Sequence, residues 1–263
     1  MPKPSLAIVV LGGSRGIGRS IVERAVAEGH RVFAGARGEA DLAALTRGLT
    51  DRPGTLRTAA VDVGDDASLG AFYAAVGAAL GKIDVVINNA AVEGYGSLAE
   101  MSPATIEAIV RTNLLGVLFS CRHAALAMTP GGGHIINVGS EVAYRAVPLK
   151  SVYSATKFAV RGLSDALELE LAPSGIQVSQ VHPGWVDTGL HDDEHRRTGS
   201  VSRPRDARPA GEVADAVAEL WRSGGPRRVA SLRARLRGAV GEIFPAWARW
   251  RTRRAFADQL KDV

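Results

Sequence analysis

Apolar runs of strand length recur along the chain, at Leu6–Leu11, Arg31–Ala36, Leu56–Val61, Ile83–Ile87, His134–Val138 and Ile176–Val181. Between them lie longer segments with helical period, at 16–28, 39–49, 66–80, 103–128 and 152–171. Strands apolar on both faces suit a parallel sheet covered by helices on each side. Strict strand–helix alternation predicts a doubly wound α/β fold rather than a sandwich. A helix at 210–222 and a short strand near 227–231 follow. The tail, 233–262, reads as one or two amphipathic helices broken at Pro245.

No linker composition or internal repeat divides the pattern, so 1–263 reads as a single domain, with 226–263 as its basic amphipathic extension. With 46% hydrophobic and 22% charged residues, the chain has ample material for a soluble core. The opening "MPKPSLAIVVLGG" holds an apolar run too short for a membrane span, which leads us to expect a cytoplasmic protein. The single cysteine, Cys121, sits in an apolar helical pattern and reads as a buried structural thiol. The net charge of +5 is unevenly spread. Residues 222–254 carry ten arginines, no lysine and one acid, Glu242, which leaves the rest mildly acidic and argues against a nucleic-acid-binding body.

The first strand runs into "LGGSRGIGRSI", which places Gly12, Gly16 and Gly18 at a strand-to-helix turn. Glycines there let backbone amides and the helix N-terminus approach a pyrophosphate, although a plain connection would read the same. The second strand ends "FAGAR", without the acid that holds a ribose 2′-hydroxyl in NAD sites. Arg37 stands beyond it, and Arg15 lies in the glycine turn. Two guanidinium groups at that corner suit a 2′-phosphate and point to NADP(H). Asp62 ends the third strand, where it either meets an adenine amino group or is simply solvated. "INNAA", 87–91, closes the fourth strand with small residues that permit close approach, as a tight turn would also require. Tyr153 and Lys157 are spaced i,i+4 and share a helix face.

In order, "GGSRGIG", "VDV", "NNAA", "RTNLLGV", "INVGS", "YSATK" and "HPGWVDT" resemble the short-chain dehydrogenase/reductase family over about residues 6–223. The resemblance implies a Rossmann-type sheet and a catalytic tetrad of Asn113, Ser140, Tyr153 and Lys157. In that scheme Tyr153 exchanges a proton with a carbonyl or hydroxyl, and Ser140 holds the same oxygen. Lys157 lowers the phenol's pKa and binds the nicotinamide ribose, while Asn113 holds a relay water. Cofactor contacts are implied at Gly12, Ser14, Arg15, Gly16, Ile17, Gly18, Arg37, Asp62, Val63, Asn89 and Ala90. They extend to Tyr153, Lys157, Pro183, Gly184, Val186 and Thr188. The chain departs from the family pattern at Leu11, Ala91 and Gly139, where threonine, glycine and serine are usual.

The expected activity is NADP(H)-dependent interconversion of a carbonyl and an alcohol on a small molecule, in a homodimer or homotetramer. Non-redox proton transfer (epimerisation or dehydration) and a catalytically idle binding module are the alternatives. Glu93, Glu141, Tyr144 and Trp185 follow strand ends on the substrate side, as pocket lining or as plain loop residues. "HDDEH", 191–195, lacks the His-Glu-x-x-His zinc spacing and reads as a solvated lid, with no metal expected. In the tail, Leu232, Leu236, Val240, Phe244, Trp247, Trp250 and Phe256 make one face apolar. Packing of that face on the body, as a roof to the pocket or a subunit contact, is the favoured expectation. Adsorption to an anionic membrane ranks second and nucleic-acid binding last.

Overall fold

A computed structural model describes residues 4–128, 131–190, 207–223, 228–230, 239–240, 243–255 and 257. Seven parallel strands form the main sheet: β1 (Ala7–Leu11), β2 (Arg31–Ala36), β3 (Thr55–Ala60), β4 (Val85–Asn88), β5 (Gly133–Val138), β6 (Ile176–His182) and β9 (Arg228–Ala230). Their order is β3-β2-β1-β4-β5-β6-β9. The chain builds outward from β1 to β3 and then returns to pair β4 with β1. That reversal opens a crevice beyond the carboxyl ends of β1 and β4, the place where open α/β sheets hold ligands.

The strands inside the sheet are buried on both faces, as their hydrophobic runs require, whereas β3, at the edge and with Arg57 and Thr58 in its run, stays partly exposed. In β1, Ile8 and Val10 enter a core shared with α1 (Gly16–Ala27), α2 (Glu39–Arg47) and α7 (Ala210–Ser223). Ala7, Val9 and Leu11 enter the opposite core, against α3 (Asp66–Leu80), α5 (Gly116–Met128) and α6 (Ser151–Glu170). Period-two alternation thus feeds two hydrophobic layers from one strand.

Between β4 and β5 the structure departs from the expected single helix at 103–128. Helix α4 (Pro103–Val110) starts on a Ser102 cap whose hydroxyl accepts from the Thr105 amide, and ends in a π-turn over Arg111–Leu115. Helix α5 continues from there. A π-turn inserts one extra residue, and such turns cluster at functional sites. By length and apolar composition Pro103–Met128 suffices to cross a membrane. Here Ile109, Val117, Cys121, Ala124 and Met128 are buried in protein, so it serves as a core helix. Burial pushes the Cys121 thiol up to about 12, in keeping with an inert structural role.

A second, two-stranded sheet pairs β7 (Val186–Asp187) with β8 (Arg208–Pro209) and was not foreseen from the hydrophobic pattern. "HDDEH" and the tail residues Leu232, Leu236 and Phe256 fall outside the described residues. In the tail, α8 (Pro245–Ala255) begins at the proline expected to break it, since a missing N–H costs nothing in a helix's first turn. It reaches the body through the opposite face from the one expected. Arg145 donates to the Ala248 carbonyl at 2.9 Å and to the Thr252 hydroxyl. Phe244, Trp247 and Trp250 point to solvent, exposed by 61%, 45% and 55%. These two bonds hold the Ala248 and Thr252 side of the helix towards the body.

Candidate active site

The crevice at the switch point is a cleft of about 720 Å³. The end at the β1–α1 turn, where the cofactor is expected, is a backbone structure. Gly12 and Gly16 take positive φ values of 77° and 52°, which side chains resist. A Cβ on Gly18 would lie 2.0 Å from the Gly12 carbonyl oxygen and 2.5 Å from the Asn89 amide nitrogen. Gly18 therefore closes the turn from behind and does not line the cleft, unlike Gly12, Ser14, Arg15, Gly16 and Ile17. The Asn89 side chain donates to the Gly12 carbonyl at 3.0 Å, tying the end of β4 to the turn. The Asn89 backbone amide also donates to the Leu11 carbonyl at 3.1 Å, while the Leu11 side chain is buried in the core. Asn88, one residue earlier, points the other way and donates to Asn137 at 2.8 Å.

Helix α1 begins at this turn with Arg15 as N-cap and no side-chain capping bond. The first amides of a helix lack intrahelical acceptors, so an uncapped N-terminus facing a cleft is suited to an anion. Arg37, Asp62, Val63 and Ala90 line the same end. Asp62 accepts from the Gly64 amide at 2.9 Å, so the carboxylate also shapes its own turn. Arg15 pairs with Asp41 at 3.1 Å, with both side chains well exposed. Water screens such a pair, and it is worth little. Pro183, Gly184, Val186 and Thr188 line the cleft from the opposite wall. The Thr188 side chain lies against Gly16, so close that a Cβ there would meet its Cβ at 2.9 Å.

Ser140, Tyr153 and Lys157 meet on the cleft floor. Tyr153 and Lys157 are buried on α6, and the Lys157 ammonium lies 5.6 Å from the Tyr153 ring centroid. Lys157 donates to the Val138 carbonyl at 3.1 Å, which fixes it to the end of β5. Burial holds its pKa down at about 8. The expectation that Lys157 lowers the Tyr153 pKa is not met in this structure. Burial raises the phenol far above its ordinary value and the Glu93 carboxylate raises it further, against a smaller lowering by the hydrogen bond with Ser140.

The fourth expected tetrad member stands behind the wall. Asn113 is fully buried in the π-turn and does not line the cleft. Its side-chain oxygen accepts from the Val92 amide and its nitrogen donates to the Val92 carbonyl, both at 2.8 Å. A side chain whose two ends are engaged this way anchors the 91–93 loop.

The substrate end is built from side chains that the motifs did not assemble. Glu93 and Lys150 form a buried ion pair, with side chains 4% and 9% exposed. The Lys150 ammonium also lies over the rings of Trp185, at 5.2 Å, and Tyr95, at 5.9 Å. Leu149 precedes it with φ of 64°, the sole positive value among described non-glycine residues. Its carbonyl accepts from the Gly96 amide at 2.9 Å, which locks the strained turn against the Glu93 loop. Glu141, Trp185, Arg145, Arg251 and Thr252 complete the lining. Tyr144 does not line it. Its ring packs against His182 at 5.0 Å, beneath the Arg161 guanidinium at 4.4 Å, and its buried hydroxyl has no hydrogen-bond partner.

Comparison with known proteins identifies the family. A family model described as short chain dehydrogenase matches residues 6–198. The "3-alpha-(or 20-beta)-hydroxysteroid dehydrogenase" of Mycobacterium tuberculosis is 36% identical over 185 residues, covering 70% of each chain. A variant of the actinorhodin polyketide ketoreductase, solved with NADPH, superposes with a TM-score of 0.79 at 32% identity, over 86% of this chain and 95% of that one. A short-chain dehydrogenase/reductase from Burkholderia phymatum, solved with NAD, gives 0.80 at 24% identity, over 92% and 96%, and so speaks for the fold.

Proposed function

The chain belongs to the short-chain dehydrogenase family of oxidoreductases, and from that premise we propose that it interconverts a carbonyl and an alcohol on a small molecule with NADP(H). The observation that carries this reading is the convergence of Ser140, Tyr153 and Lys157 on the floor of a cleft whose far end is an uncapped helix N-terminus. The chemistry that the cofactor supplies when bound is a hydride at its nicotinamide ring. The turn at 12–17 would hold its pyrophosphate. Arg15 and Arg37, with no acid at the end of β2, favour a 2′-phosphate at the adenosine ribose.

Tyr153 is the proton donor. As a phenol it can protonate a carbonyl oxygen, and burial raises its proton affinity further. The Ser140 hydroxyl bonds the phenol and offers the same oxygen a second donor. Lys157, with its pKa near 8, is half-way to exchanging its own proton at mildly alkaline pH and stands next in line behind Tyr153. A second copy of the chain packs on α5 and α6, a reading supported by the exposed apolar side chains Leu118, Leu126, Phe158 and Leu169.

The test is isotopic. NADPH deuterated at the transferred position should pass its label to the carbinol carbon of the product when ketones and aldehydes are surveyed by loss of cofactor absorbance. Turnover of a substrate with no transfer of label would support proton-transfer chemistry and sink this proposal.

A further inference from the structure

We propose that α8 is a lipid-docking helix that seats the mouth of the cleft on an anionic membrane surface. Its body-facing side is short and polar, made by Ala248 and Thr252 where Arg145 holds them. The remaining circumference is exposed. Trp247 and Trp250 lie 45% and 55% exposed, and Ile243 and Phe244, just ahead of the helix, reach 68% and 61%. At 100° per residue these four fall on one side of the axis. The Arg251 and Arg254 guanidinium groups stack on the Trp247 and Trp250 rings at 5.3 and 5.4 Å. Arg249 and Arg253 flank them, and Pro245–Ala255 contains no acid.

Exposed tryptophan, apolar bulk and arginine on a helix without an acid of its own are the composition of an interfacial anchor. The indoles sit at headgroup depth and the guanidinium groups bind lipid phosphate. A two-fold contact with a second copy through this face would instead set like charges against like. Arg251 and Thr252, on the same helix, line the cleft. Docking therefore brings the substrate entrance to the bilayer. If the redox reading above holds, the carbonyl substrate is one that partitions into lipid. Docking itself does not depend on that reading.

The full chain should co-sediment with vesicles of phosphatidylcholine containing phosphatidylserine, and leave them in high salt. It should ignore vesicles of phosphatidylcholine alone. Its tryptophan emission should shift to the blue on binding. The double variant Trp247→Ala/Trp250→Ala and the charge reversal Arg249→Glu/Arg253→Glu should each lower partitioning by about tenfold or more. Unchanged circular dichroism and unchanged turnover of a water-soluble ketone would show that both variants fold. The proposal is overturned if anionic vesicles fail to bind the wild type, or if both folded variants bind as it does. A sedimentation-equilibrium mass that drops in the tryptophan variant would assign the face to a second copy. Retention on a nucleic-acid duplex in preference to anionic vesicles would assign it to nucleic acid. Either result overturns lipid docking.

Discussion

The two ends of the cleft are built in opposite ways. At the cofactor end, what matters is backbone: glycines without Cβ atoms, an uncapped helix N-terminus and the main chain of strand ends. Part of it is local, with Gly12, Ser14, Arg15, Gly16 and Ile17 lining the cleft from one turn, and the ends of β2, β3 and β4 add Arg37, Asp62 and Asn89. At the substrate end, what matters is side chains drawn from across the sequence: Glu93, Arg145, Lys150, Trp185 and Arg251. A ligand shared by many enzymes can be met by main-chain geometry, which tolerates substitution around it. A substrate particular to one enzyme has to be met by side chains, which vary freely on a fixed scaffold.

Tyr153 lies where the two ends meet, and the largest effect is expected there. Tyr153→Phe should leave the dissociation constant of NADPH unchanged and lower kcat by about 10²–10⁴-fold, the worth of general acid catalysis. Stopped turnover with intact cofactor binding would separate the floor from the cofactor end. A variant with near wild-type kcat would refute the acid role.

Next is the buried pair. Glu93→Gln removes the carboxylate that pairs with the Lys150 ammonium, in a site where both side chains are buried. Breaking a buried pair costs about 3–5 kcal/mol, because one charge is left without compensation. Chemical denaturation should show that loss, and Glu93→Gln combined with Lys150→Met should recover most of it. Equal stability of the single and double variants would show that the pair does not act as a unit.

The smallest effect is at the exposed cofactor corner. Replacing Arg37 by Asp deletes a phosphate donor and adds repulsion. The ratio of NADPH to NADH dissociation constants should move towards NADH by about 10–100-fold, the worth of one charge-assisted hydrogen bond. Isothermal titration with both cofactors reads this directly. Wild-type protein that binds both equally would remove the basis for an NADP(H) preference.

These differences follow how each region is encoded. The alternating layers are written in the hydrophobic pattern. A parallel strand buried on both faces reads as an apolar run, as at Leu6–Leu11 and Ile83–Ile87, while the edge run Leu56–Val61 carries Arg57 and Thr58 and stays partly exposed. The sequence also determined the glycine turn and the Tyr153–Lys157 face, because contacts within one turn of chain are spacing rules. Which way the polar side chains in between would point depended on packing between distant elements. Asn113 carries the right letter in the right motif, yet the π-turn aims its amide at Val92. Tyr153 has its lysine at i+4, yet desolvation and the carboxylate of Glu93 set its proton affinity, a matter of burial that spacing does not encode. Lys150 and Glu93 are 57 residues apart and meet through a strained turn at Leu149 that no local signal marks. The apolar stripe of the tail was legible as a stripe. The side of α8 that faces the body is held there by the Arg145 guanidinium, and hydrophobic period carries no term for that.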